Sequence, residues 1–165
     1  MCVRFVVAAA ILVGGSGLLQ AREIVPFDAG VGPCTVVIRT QERRLYYVRG
    51  DGTALRYRIA VGRPGKQWYG DAAIAGKYVR PAWAPPDEVR RDNPKLPAVV
   101  PSGSPSNPMG AAALVLTRDE YAIHGTNQPS SIGTFASYGC IRMLNEDVMD
   151  LYQRVTVGTR VMVTR

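Results

Sequence analysis

Between residues 34 and 62 three short runs rich in β-branched and aromatic residues follow one another: CTVVIRT (34–40), RRLYYV (43–48) and ALRYRIAVG (54–62). RGDGT separates the second from the third, and its Asp51-Gly52 pair is a strong hairpin-turn signal. Runs of this length, punctuated this way, specify a meander of antiparallel strands rather than a helical bundle. The third run alternates apolar and basic positions, as a strand does when one face is covered and the other is wet.

Strand patterns resume at IAGKYVR (74–80), AALVLTR (112–118) and YAIHG (121–125), with Arg118-Asp119-Glu120 as a turn, and VGTRVMVTR closes the chain. Against about six or seven strands stands one good helix, NEDVMDLYQRV (145–155). Asn145 is its N-cap candidate, Glu146 and Asp147 suit the positive end of the helix dipole, and Val148, Leu151, Tyr152 and Val155 make one apolar face. A chain of 165 residues holds one domain with a single core. The expectation is a mostly β, single-domain mixed sheet or sandwich over residues 34–165, with one main helix. Residues 81–108 break the pattern: they carry eight of the twelve prolines, and only PDEVRRD offers a helical turn or two, opened by Pro86. So long a stretch with little regular structure reads as the wall or lid of a site.

The N-terminus, MCVRFVVAAAILVGGSGLLQARE, sets Arg4 before an apolar run and ends in small and polar residues. That is the layout of a secretory signal peptide over residues 1–21, with cleavage after Ala21 removing Cys2; a retained membrane anchor is the competing reading, for which the run, broken by Gly14, Gly15, Ser16 and Gly17, is short. Residues 22–33, with Pro26 and Pro33, read as a short tether. Two cysteines then remain, Cys34 and Cys140, and in an oxidising compartment a disulfide between them is one reading.

A second reading starts from His124, the only histidine, placed where a strand ends in glycine sixteen residues before Cys140. A thiol becomes a nucleophile when an imidazole or a helix N-terminus favours its thiolate. His124 supplies the first, and the helix after Cys140 is expected to supply the second. Gly139 leaves room for backbone N–H groups to face a developing oxyanion. One histidine and two distant cysteines give no zinc-type spacing, so neither metal nor cofactor is expected. The net charge of +7 is spread along the chain rather than gathered on one element, which gives no footprint for nucleic acid.

The segment IHGTNQPSSIGTFASYGCIRMLNEDVMDLY resembles the active-site segment of the L,D-transpeptidases, the YkuD-type catalytic domain of bacterial cell-wall enzymes. His124-Gly125-Thr126, Ser131-Ile132-Gly133, Ser137, Gly139-Cys140, Arg142 and Asn145 carry the likeness, and NPMGAAALVL (107–116) resembles the strand leading to the histidine. The signal peptide puts the mature protein outside the cytoplasm, in the periplasm or cell wall, and a monomer is expected; the resemblance implies an enzyme whose partners are peptidoglycan stem peptides as donor and acceptor, or a protein acceptor. Cys140 would attack the carbonyl after the third stem residue and release D-alanine. His124 would take the thiol proton, with the Gly125 carbonyl orienting the ring. Amides around Tyr138, Gly139 and Cys140 would hold the oxyanion, and Arg142, Ser137 and Thr126 would bind substrate.

The chain departs from that pattern twice. Tyr138 stands where a histidine is more usual, and the Thr-Pro-x-Gly signature is missing near GRPGKQWYGDAAIAGK. A phenol can donate a hydrogen bond toward an oxyanion but cannot act as a base near neutral pH. Hydrolysis, with water as acceptor, and a non-catalytic wall-binding module with a Cys34–Cys140 disulfide are the alternatives. Tyr46 and Tyr47 read as packing residues; Trp68, Tyr69 and Trp83 are candidates for site walls.

Overall fold

The computed structural model describes residues 22–165. The expected signal peptide lies outside the described residues. The strands are β1 (Arg22–Pro26), β2 (Val36–Arg39), β3 (Arg44–Val48), β4 (Thr53–Gly62), β5 (Gly70–Val79), β6 (Ala112–Leu116), β7 (Ala122–His124), β8 (Phe135–Ser137), β9 (Ile141–Met143) and β10 (Arg160–Thr164). Helix α1 spans Asp87–Asp92 and α2 spans Asn145–Arg154. The mostly β architecture with one main helix is as expected.

Neighbouring strands run β1-β4-β3-β2-β10-β5-β6-β7-β9, and β9 pairs again with β4. Eight strands therefore close a circuit, which leaves few open edges. β2–β10, β7–β9 and β4–β8 are parallel and the remaining pairs antiparallel, so the sheet is mixed. The core gathers the residues that alternate onto one face, among them Ile38, Leu45, Tyr57, Ile59, Leu114, Ile123 and Ile141. From α2, Val148 and Leu151 join it, with Val155 just past the helix end. Its C-terminal carbonyls are covered by Lys77, whose Nζ donates to Tyr152 O at 2.7 Å and Val155 O at 2.5 Å.

Two expectations are corrected. Residues 22–26 are not tether but an edge strand, in register with β4 from Arg22↔Tyr57 to Pro26↔Thr53. Pro26 ends that strand rather than preventing it, and Phe27 beyond it stacks on Tyr46 at 4.4 Å. Asn145 is not the α2 N-cap; Leu144 occupies that position. The Asn145 side chain is engaged elsewhere, as the site shows.

Asp147 is buried in the first turn of α2 and neither carboxylate oxygen has a partner. Burial, reinforced by the charge of Glu146, pushes its pKa up to about 6. A carboxyl raised in the folded state favours folding below its unfolded pKa, and this contribution is lost as pH rises through the folded value. Asp147→Asn should therefore unfold at higher urea than wild type at pH 7.5, by about 1–3 kcal/mol, with the difference vanishing near pH 4. Equal pH dependence in the two proteins would contradict the assignment.

Candidate active site

β7 and β9 lie side by side in parallel, with Ile123 opposite Ile141 and His124 opposite Arg142. Alternation along each strand sends Ile123, Ile141 and Met143 into the core. The intervening positions, His124, Arg142 and Cys140 just ahead of β9, line one cavity of about 420 Å³. The run Cys140-Ile141-Arg142-Met143 is thus a strand with a chemical face and a core face. Three of the residues expected at a site are brought together by this one register.

His124 is buried, and its Nδ1 lies 2.7 Å from the Gly125 carbonyl oxygen. A carbonyl only accepts, so Nδ1 carries the proton and Nε2 is left as the basic nitrogen of the neutral ring. Asn145 braces this turn. Its Oδ1 accepts from the amides of Ala111 at 2.9 Å and Thr126 at 3.0 Å, and Nδ2 donates to Thr126 O at 3.0 Å. Residue 125 must lack a side chain because a Cβ there would sit 2.2 Å from Asn145 Oδ1.

The cysteine turn is held as firmly. Ser137 is buried; its Oγ donates to Cys140 O at 2.5 Å and accepts from the Gly139 amide at 3.1 Å. Gly139 adopts φ +128°, and its carbonyl accepts from Trp68 Nε1 at 2.9 Å. Trp68 stacks on Tyr121, against which Gly139 packs. The Gly139 amide is therefore engaged by Ser137, which corrects its expected place among the oxyanion donors. The amides of Tyr138 and Cys140 make no hydrogen bond among the described residues.

Several other expectations change. β9 separates Cys140 from α2 and alone advances the chain by roughly 10 Å, whereas a helix dipole acts within about one turn. The helix is not what activates the thiol. Thr126 is buried and its Oγ1 accepts from the Gln128 amide at 2.9 Å, so it shapes the turn and does not line the cavity. Ser137 does line it, with its hydroxyl already committed. The Tyr138 hydroxyl donates to Asp92 Oδ2 at 2.6 Å rather than toward an oxyanion. Cys34 and Cys140 are both free thiols, which removes the disulfide reading.

Arg142 is half-buried and forms no ion pair among the described residues. Trp83, Pro86, Glu88, Val89 and Pro108 from the proline-rich insertion complete the cavity. The insertion is built, not loose: Trp83 and Val100 exchange backbone hydrogen bonds, and buried Asn107 donates to Pro81 O at 2.9 Å. Trp83 is a site wall, Trp68 is buried behind the cysteine turn, and Tyr69 is exposed.

Burial sets the charge state. It pushes the Cys140 thiol up, against the opposing pull of the Ala122 amide and the Arg142 charge. It pushes His124 down to about 4, helped by Arg142 and opposed by the Gly125 and Pro108 carbonyls. At neutral pH the pair rests as thiol and neutral imidazole.

A thiol, a buried imidazole and a guanidinium that forms no ion pair among the described residues thus share one cavity, carried on a closed mixed β circuit. The L,D-transpeptidase catalytic domain (YkuD) profile matches residues 34–163, and the chain belongs to that family. A probable L,D-transpeptidase YbiS of Escherichia coli K12 is 43% identical over 135 residues, covering 76% of this chain and 43% of the relative. The chain thus spans less than half the length of that curated relative. A crystal structure of an Enterococcus faecium L,D-transpeptidase shares the fold, with TM-score 0.62 and 18% identity over 81% of this chain and 50% of that one. A crystal structure of a Brucella melitensis protein named a probable carnitine operon oxidoreductase is 43% identical, with TM-score 0.56, over 87% of this chain and 92% of its own.

What the sequence did not disclose was the support around these groups. Asn145 carried an N-cap signal that concealed its cross-chain role. Trp68 and Tyr121 gave no local sign that they pack behind Gly139. The alternation at 140–143 was the one usable signal for β9, and it is only four residues long.

Proposed function

We propose that this chain is a cysteine L,D-transpeptidase of peptidoglycan stem peptides, acting outside the cytoplasm. The placement of Cys140, His124 and Arg142 on one cavity wall, with His124 Nδ1 tied to the Gly125 carbonyl, carries the proposal. Cys140 Sγ attacks the carbonyl after the third stem residue as its proton passes to His124 Nε2. The carbonyl oxygen becomes an oxyanion held by the Tyr138 and Cys140 amides. Collapse breaks the C–N bond, and the imidazolium returns the proton to the departing amine of D-alanine. An acceptor amine then attacks the thioester, giving a proton to His124, and the thiol is restored. The resting pair is neutral, so charge separates only as the bond forms.

Arg142 supports recognition of a donor carboxylate, because its planar fork binds one bidentately. Arg142→Ala should raise KM for a carboxylate-bearing tetrapeptide about 10- to 100-fold, while alkylation of Cys140 slows by much less, through loss of the guanidinium's pull on the thiol alone. Equal losses in both would contradict that role.

Incubation with a disaccharide-tetrapeptide and mass analysis of the products tests the activity. Cross-linked dimers and free D-alanine are expected. Trimmed tripeptides alone would make the chain an L,D-carboxypeptidase, and unchanged substrate would refute both.

A further inference from the structure

The β4–β5 loop, helix α1 and the turn carrying Cys140 come from three separate parts of the chain, and one carboxylate joins them. Asp92, at the end of α1, accepts the Tyr138 hydroxyl at 2.6 Å and an Arg63 Nη2 hydrogen bond at 2.9 Å on the same oxygen. The Arg63 guanidinium lies over the Tyr138 ring, 3.9 Å from its centroid, and the Arg63 amide donates to Ser137 O at 2.9 Å. Near the start of α1, Glu88 pairs with Lys66 and lines the cavity beside Val89.

Isolated surface ion pairs contribute only about 0–1 kcal/mol, and Asp92 and Arg63 are both well exposed. The difference here is convergence. Both groups grip Tyr138, and the Tyr138 amide is one of the two without a hydrogen bond in the cysteine turn. The Tyr138 hydrogen bond, and then Arg63, hold the Asp92 carboxyl below the usual carboxylate range, so the acceptor is ionised at neutral pH.

We infer that Asp92 is a positioning residue for acyl transfer: through Tyr138 it fixes the turn that presents Cys140, and it anchors α1 as the cavity wall. This rests on the acyl-transfer reading above. Tyr138→Phe keeps a ring under Arg63 and deletes only the hydrogen bond. Asp92→Asn keeps an acceptor oxygen, whereas Asp92→Ala removes it.

The test is single-turnover acylation by the tetrapeptide, with iodoacetamide alkylation of Cys140 as a reaction that forms no oxyanion. Tyr138→Phe and Asp92→Ala should each slow acylation about 10- to 100-fold at near wild-type KM, with alkylation unchanged. The double variant should be no slower than the worse single, and Asp92→Asn should recover to within about threefold of wild type. Wild-type rates in both single variants, additive losses in the double, or an Asn variant as slow as Ala would overturn the inference. A wild-type protein that forms no acyl-enzyme refutes the functional reading instead. The clamp is then read by hydrogen exchange at residues 137–140, which must quicken in Tyr138→Phe; unchanged exchange overturns it.

Discussion

His124→Ala is expected to lower the rate of Cys140 acylation by about a thousandfold or more, near the upper range for loss of a positioned base. Burial keeps the Cys140 thiol protonated at rest, so the proton has to leave as sulfur attacks, and Nε2 of His124 is the basic nitrogen on that cavity wall. The same reasoning fixes the pH profile. The base must be neutral, and burial and then the Arg142 charge push His124 down to about 4, so kcat/KM should fall only below about pH 4 and stay level through pH 6. An acid limb near 6.5, the value of an unperturbed histidine, would show that the imidazole is not held in its buried, Arg142-facing setting. The variant should stay folded, and circular dichroism with urea titration separates loss of base from loss of structure.

Gly139→Ala should be nearly as damaging, by a different route. Its φ of +128° is open essentially to glycine alone, and an added Cβ would lie 2.3 Å from the Tyr121 ring. That ring cannot swing aside freely, because it stacks on Trp68, which in turn holds the Gly139 carbonyl. Backbone strain and overpacking together should cost about 3–5 kcal/mol, or force the cysteine turn into another shape. The expected readings are a lowered urea midpoint and acylation reduced more than about a hundredfold. Adding Tyr121→Ala should recover the steric part and leave the dihedral strain. Full recovery in that double variant would show that crowding alone makes residue 139 a glycine.

Much of the scaffold was legible because its signals are local. The β-branched runs that became β2, β3 and β4 announce themselves, as does the apolar face of α2, whose Val148 and Leu151 are fully in the core. β8 and β9 are three residues each, too short for periodicity to stand out, and β1 is an exposed edge strand whose partner among the described residues, β4, starts only at Thr53. At the site, Cys140, His124 and Arg142 were readable from residue type and order. Their supports were not, since Asn145 meets Ala111 across 34 positions, Trp68 meets Gly139 across 71, and Tyr138 meets Asp92 across 46. Tyr138 in particular looked like a spare donor for the oxyanion, and the fold spends its hydroxyl on the cavity wall instead.

In the proposed reaction Cys140 carries the acyl group. The protein is mixed with a stem tetrapeptide ending in D-alanine, without amine acceptor, quenched in acid, and its intact mass and peptide map are read. The expected result is a mass gain equal to the tripeptide acyl group, located on Cys140, present in Cys34→Ala and absent in Cys140→Ala. A folded protein with no adduct, or with the adduct on Cys34, would contradict it.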